Sequence, residues 1–212
     1  MAVSIGAVLA PVQVPRVAAA TLRPVNVRVC DRANTNVRVL ETLEREATSI
    51  WARYDVGLSW DHDDSAVPIV FLIIERRAHP QGGPLHVLGS TEVRDGEIAP
   101  IVHLWQPAAV AFVDALAGQE RPLRQWPASA QADVVGRVLG RVVAHEIGHV
   151  LLQTMDHTHG GLLKADLLSS EALAWNADWM WLDARQQMVL AHSTQRGYAA
   201  ASRRTPSCNS RP

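Results

Sequence analysis

Apolar and polar positions follow two different rhythms along this chain, and the change from one to the other predicts most of its elements. Val25, Val27 and Val29 alternate with Asn26, Arg28 and Cys30, the period-two pattern of a strand with one buried face. The spacing of Val37, Leu40, Leu43, Ala47, Ile50, Trp51 and Tyr54 is helical, with Asn34 or Thr35 placed to cap the first turn. Alternation returns at Val56, Leu58 and Trp60. Val67 to Ile74 is continuously apolar and β-branched, as a central strand covered on both faces would be. After a Pro80–Pro84 loop, Leu85–Val93 and Ile98–Trp105 read as a hairpin turning at Asp95-Gly96. The succession of strand, helix and several strands predicts an α/β (α+β) layer, a mixed sheet packed on helices.

A long helix is predicted over Ser129–Gln153, with Val138, Val142, His145, His149 and Leu152 on one stripe. The neighbouring stripe holds Gly136, Gly140, Ala144 and Gly148. A glycine costs about 1 kcal/mol against alanine inside a helix, so this stripe asks for close packing, which we expect against the sheet. A last helix near Asp183–His192 is expected to turn Met188 and Val189 towards the core.

Composition narrows the class. The chain has 212 residues, 48% apolar, with a formal net charge of −1 and no long basic run. That suits one soluble globular domain and argues against nucleic acid or an anionic membrane as the main partner. Three segments are expected: a lead over residues 1–24, one domain over 25–198 and a polar tail over 199–212. The apolar run Ala2–Ala10 is too short to span a bilayer, so no membrane span is expected. Ala18-Ala19-Ala20 resembles a signal-peptidase site, although no Lys or Arg precedes the apolar run. Secretion or a periplasmic location is the expectation, with a cytoplasmic one as alternative. Cys30 and Cys208 lie far apart, and the polar surroundings of Cys208 weigh against a structural disulfide.

The chemistry concentrates at residues 145–149, His-Glu-Ile-Gly-His. On a helix, His145 and His149 stand about 40° apart around the axis and about 6 Å along it, so both imidazoles reach one ion. Glu146 lies about 100° round from His145, beside such an ion, where it can take a proton from water. Zinc needs a third protein ligand and leaves a fourth position open for catalysis. A straight continuation would carry His157 about 12 Å past His149, so the chain must double back, and Gly160-Gly161 marks the bend. His157 and His159 alternate and point the same way in extended backbone, so either can close the site. Two imidazoles and a carboxylate on a core-facing stripe are costly without a metal to satisfy them.

Other residues carry weaker signals. Glu171 stands 22 residues after His149, a spacing compatible with a gluzincin glutamate ligand. Asp166 is a less apt aspartate ligand, and Asp156 is placed to orient an imidazole. Asp61, Asp63 and Asp64 around His62 lack a full calcium ligand set and read as a solvated turn. His79, His86, His103 and His192 read as surface or structural. Trp175, Trp179 and Trp181 are expected to pack the lower part of the domain.

From His145 to Leu168 the chain reads HEIGHVLLQTMDHTHGGLLKADLL and resembles bacterial metzincin-like metallopeptidases with a lengthened zinc motif. Those proteins read His-Glu-x-x-His, seven residues, His, and then a Gly-Ile-Met or Gly-Leu-Met turn. The resemblance implies a zincin-like catalytic domain with a small lower subdomain and C-terminal helix. It implies Zn²⁺ held by His145, His149 and His157, with His159 the alternative third ligand, and Glu146 as catalytic base. Gly161-Leu162-Leu163 falls at the methionine turn, with Leu163 in place of the methionine. Where the common motif has its glycine and third histidine, this chain has Leu152 and Met155, so its turn comes later. The implied substrate is a peptide or protein lying antiparallel to an edge strand within Leu85–Val93. A monomeric zinc peptidase is therefore the expectation. Its alternatives are a gluzincin-type enzyme using Glu171, or a non-catalytic, metal-stabilised interaction domain.

Overall fold

A computed structural model describes residues 23–62, 69–77, 87–118, 121–193 and 208. The proposed signal-like lead, most of the C-terminal tail, the Pro80–Pro84 loop, Asp63, Asp64, His79 and His86 lie outside the described residues. The chain forms a mixed α/β fold in which a five-stranded sheet of order β2-β1-β3-β5-β4 is packed against helices. β1 (Arg23–Asp31) leads through α1 (Val37–Ala52) into β2 (Val56–Asp61), then β3 (Val70–Glu75), β4 (Gly89–Arg94) and β5 (Glu97–Trp105). The β1–β2, β1–β3 and β3–β5 pairs are parallel, and β4 alone is antiparallel, at the edge. Its direction follows from the Asp95-Gly96 turn, whose φ angles of 52° and 80° fold the chain straight back. β3 is central and buried from Val70 to Ile74, as its unbroken apolar run demands.

α1 and α3 (Ala128–Leu152) form the layer against the sheet, and α1 lies closely along α3. Trp51 is fully buried between them, its indole N–H donating to the Ala144 carbonyl at 3.2 Å. Gly136 and Gly140 serve this helix pair and not the sheet, while a Cβ on Gly148 would lie 2.8 Å from Leu163. A Cβ on Gly136 would lie 2.7 Å from Thr42 Cβ, and one on Gly140 would lie 2.7 Å from the Leu43 carbonyl. The expectation of sheet packing is thereby corrected, because helix period does not say which neighbour a face meets.

Several local expectations also change. Asn36, not Asn34 or Thr35, caps α1, its side chain accepting from Arg38 N at 2.9 Å. Thr35 is bound instead to Asp31. Val37 sits in the first turn and is 68% exposed, and Val39 joins the core in its stead. A helix missed in the sequence, α2 (Gln106–Ala117), follows β5 directly and buries only Ala109 and Val113, too little to leave a clear apolar stripe. A short α4 (Ser169–Leu173) and α5 (Ala184–Ser193) complete the chain's α-helices among the described residues, with one 3-10 turn at Leu123–Gln125 before α3. In α5, Leu190 is buried while Met188 and Val189 are exposed, the reverse of the expectation.

Cys30 and Cys208 form a disulfide with Cα atoms 5.1 Å apart, which overturns the reading that set Cys208 outside the fold. Separation along a chain does not limit approach in space. Cys30 lies on the far face of the sheet in a small apolar cluster with Phe71, Ile73 and Ile101. Asp61 is no solvated turn residue: it is buried and accepts from Arg28 at 2.9 Å across β1 and β2. Trp175, expected inside, is 91% exposed, with the Arg137 guanidinium 4.9 Å from its ring centre.

Candidate metal centre

The site is built at the C-terminal end of α3, where the chain turns back under the helix. α3 stops at Gln153, which takes a left-handed φ of 50° without being glycine. The backbone N–H groups of Gln153 and Thr154 both bond the His149 carbonyl. This turn brings the Thr154 carbonyl round to accept from His149 Nδ1 at 2.7 Å.

A second bend completes the enclosure. Thr158 N–H donates to the Leu163 carbonyl at 2.9 Å, and Thr158 Oγ1 donates to the Gly160 carbonyl at 2.8 Å. Gly161 has a φ of 82°, and a Cβ there would lie 2.3 Å from the Trp181 carbonyl, so only glycine fits. Leu162 N–H bonds that same carbonyl at 2.8 Å, which fixes the Leu162 carbonyl to accept from His145 Nδ1 at 2.7 Å.

Both histidines therefore carry their proton on Nδ1, since a carbonyl can only accept. Their Nε2 lone pairs face each other 3.0 Å apart. Two acceptors at that distance repel unless a cation lies between them, and this arrangement is the test that the site fits a metal. The third imidazole, His157, has its ring centre 5.4 Å from that of His145 and 5.0 Å from that of His149. One nitrogen from each of the three lies within 4.8 Å of the others, a geometry that can hold a metal ion. His159 falls in the bend after Thr158 and is not in this group.

Electrostatics keeps the donors neutral. Burial, helped by the neighbouring His149, pushes His145 down to about 3, against the opposing pull of the Leu162 carbonyl. Burial also lowers His149, again opposed by a carbonyl, that of Thr154. A neutral imidazole is the metal-binding form, so the fold prepares both ligands.

Glu146 points into the same cleft without joining the three-histidine group. It is only 7% exposed, and burial raises its carboxyl to about 7, partly offset by the Thr91 hydroxyl. Thr91 Oγ1 lies 2.8 Å from Glu146 Oε2 and 3.0 Å from the Glu146 carbonyl. The cleft has a volume of about 370 Å³ and runs beside β4, with Val142, Leu162, Leu167, Trp179 and Met180 among its apolar walls.

The remaining candidates are placed elsewhere. Glu171 is engaged by Lys164 Nζ at 2.8 Å and by Leu168 N–H at 2.9 Å. Asp166 borders the cleft outside the three-histidine group, and Asp156 is exposed beside His157. His103 lies 3.4 Å from Glu75, and His192 donates to the Met188 carbonyl. Trp181 covers Gly161, and Trp179 lines the cleft.

Two site residues escaped the sequence reading. Thr91 gave no signal beyond its place in a strand. Arg141, one turn before His145, is 1% exposed and ion-paired with Glu46 at 2.8 Å. It also donates to the carbonyls of Glu171, Ala172, Ala174 and Asn176, tying α3 to the segment that follows the histidines. Its position on the helical stripe was readable, but its carbonyl partners come from residues about thirty positions on.

No protein-family model matches this chain, and no curated protein matches it.

Proposed function

We propose that this protein is a zinc-dependent peptidase of metzincin-like type, in which His145, His149 and His157 hold the metal and Glu146 is the general base. The observation that carries this reading is the pair of converging Nε2 lone pairs joined by the His157 ring, with a carboxylate beside them in an open cleft. Three histidine ligands leave a position free, which suits catalysis better than a closed structural site.

When bound, zinc supplies Lewis acidity that polarises a carbonyl and makes water nucleophilic near neutral pH. Glu146 accepts the proton of the attacking water and returns it to the departing amine nitrogen. The edge strand β4 borders the cleft, so an extended peptide can add to it antiparallel. Leu163, fully buried, stands where a metzincin has its turn methionine and fills the space over Gly148, consistent with an apolar floor beneath the ligands. The pairing of Glu171 with Lys164 speaks against the gluzincin alternative.

The Cys30–Cys208 disulfide supports an oxidising compartment, hence secretion or the periplasm. No helix among the described residues is long and apolar enough to cross a membrane.

The test is Glu146→Ala in a broad peptide-cleavage screen with metal analysis. The variant is expected to retain one metal per chain and lose about 100-fold or more in kcat. Wild-type cleavage by the variant would remove Glu146 from its role, and a wild type that binds metal but cleaves nothing would favour the interaction-domain alternative.

A further inference from the structure

We propose that Thr91 is a positioning residue that couples the edge strand β4 to Glu146, so that the strand receiving the peptide also sets the aim of the base. The inference rests on the peptidase reading above.

The geometry begins with a match of repeats. Gly89 and Thr91 are two residues apart on β4, and Val142 and Glu146 are four apart on α3. Two strand residues advance about 6.7 Å and four helix residues about 6 Å, so the two pairs meet in step. A Cβ on Gly89 would lie 2.5 Å from Val142 Cγ1, so the strand lies against the helix there with no room for a side chain. That close approach is what brings a side chain as short as threonine within reach of Glu146. The β4–β5 ladder then loses register between Thr91 and Val93, an irregularity of the kind that re-aims a strand side chain.

Thr91 is buried, and its hydroxyl has one proton for two acceptors, both belonging to Glu146. Holding the backbone carbonyl and Oε2 of one residue from one point constrains the side-chain torsions of Glu146. Oε1 has no protein partner among the described residues, which leaves it as the oxygen that meets water. A surface β4 residue could not do this, and a longer side chain at position 91 would displace the carboxylate.

The experiment compares Thr91→Val with Thr91→Ser on a peptide that the wild type cleaves, in metal-loaded protein. Valine keeps the shape and removes the donor, so kcat is expected to fall about 10- to 100-fold with KM within about twofold. Serine restores the donor and is expected to recover most of kcat. Metal content and melting temperature, measured alongside, show whether either variant has lost its fold. Should Thr91→Val not fold, Thr91→Cys carries the same comparison with a weak donor of similar size. A crystal structure of the valine variant gives a readout free of turnover: the Glu146 carboxylate is expected in a different or split position. Wild-type kcat in Thr91→Val, an effect confined to KM, a serine variant as impaired as valine, or an unmoved carboxylate would each overturn the inference. A wild type that cleaves no peptide overturns the peptidase reading instead, and the carboxylate position still decides whether Thr91 aims Glu146.

Discussion

The Nε2 atoms of His145 and His149 face each other at 3.0 Å while both Nδ1 atoms are committed to backbone carbonyls. Neither ring can turn its proton toward the other without breaking a bond to Leu162 or Thr154. The metal is therefore expected to bind in a cooperative three-ligand site. His157→Ala should weaken zinc affinity by at least about 100-fold, whereas His159→Ala should leave it within about twofold. Competition with a chromophoric chelator measures both. Equal losses in the two variants would mean that the chain chooses its third ligand differently.

Stability of the metal-free protein should depend on pH in two opposed ways. His145 is held at about 3 against an ordinary 6.5, so its contribution is complete above about pH 6.5 and is lost as pH falls toward 3. Glu146 is raised to about 7 from an ordinary 4.5, so its contribution is complete below about pH 4.5 and is lost as pH rises through 7. Glu146→Gln abolishes only the second effect. At pH 8 the metal-free variant should exceed wild type in stability by on the order of 2 kcal/mol more than it does at pH 4. Urea unfolding at the two pH values, with chelator present, is the measurement, and a pH-independent difference would contradict the burial of an ionisable Glu146.

Gly161 acts on His145 through Leu162. Alanine there would need a φ of 82° and a Cβ 2.3 Å from the Trp181 carbonyl, so the bend must open. Gly161→Ala is expected to cost at least about 2 kcal/mol. It should also weaken zinc binding about tenfold as the Leu162 carbonyl leaves His145. Thermal melts and chelator competition read the two effects separately. A variant that loses stability yet binds metal as tightly as before would show that the carbonyl does not govern His145.

At Gly140 two effects of opposite sign compete. Alanine gains about 1 kcal/mol of helix propensity over glycine. Its Cβ, however, would lie 2.7 Å from both the Leu43 carbonyl and Glu46 Cβ, where backbone cannot give way cheaply. Contact with backbone wins, and Gly140→Ala should be destabilised by about 1–3 kcal/mol in denaturant unfolding. A more stable variant would refute the close approach of α1 and α3.

How much of this was legible in the sequence differs by residue. The strand of Val25, Val27 and Val29, the unbroken run of β3, the Asp95-Gly96 hairpin and the His145–His149 pair were all readable, because each depends on a period or a turn preference carried by neighbouring residues. The doubling back of the chain after His149 was readable too, from Gly160-Gly161 and the reach of a helix. α2 was not, since Ala109 and Val113 leave too faint a stripe. The exposure of Met188 and Trp175 was not either, because hydrophobicity alone does not say that a neighbour exists to cover a side chain.

What the sequence by itself determined was the local chemistry: two imidazoles and a carboxylate on one turn of helix, and strands of the right period to build a sheet beneath it. Only the tertiary structure decided the partners. It brought His157 and not His159 into one group with His145 and His149, set Gly136 and Gly140 against α1, joined Cys30 to Cys208 and brought Thr91 to Glu146. The physical reason is that period and propensity act over a few residues. Contacts between distant segments are settled by how whole faces fit together, which no short stretch of chain encodes.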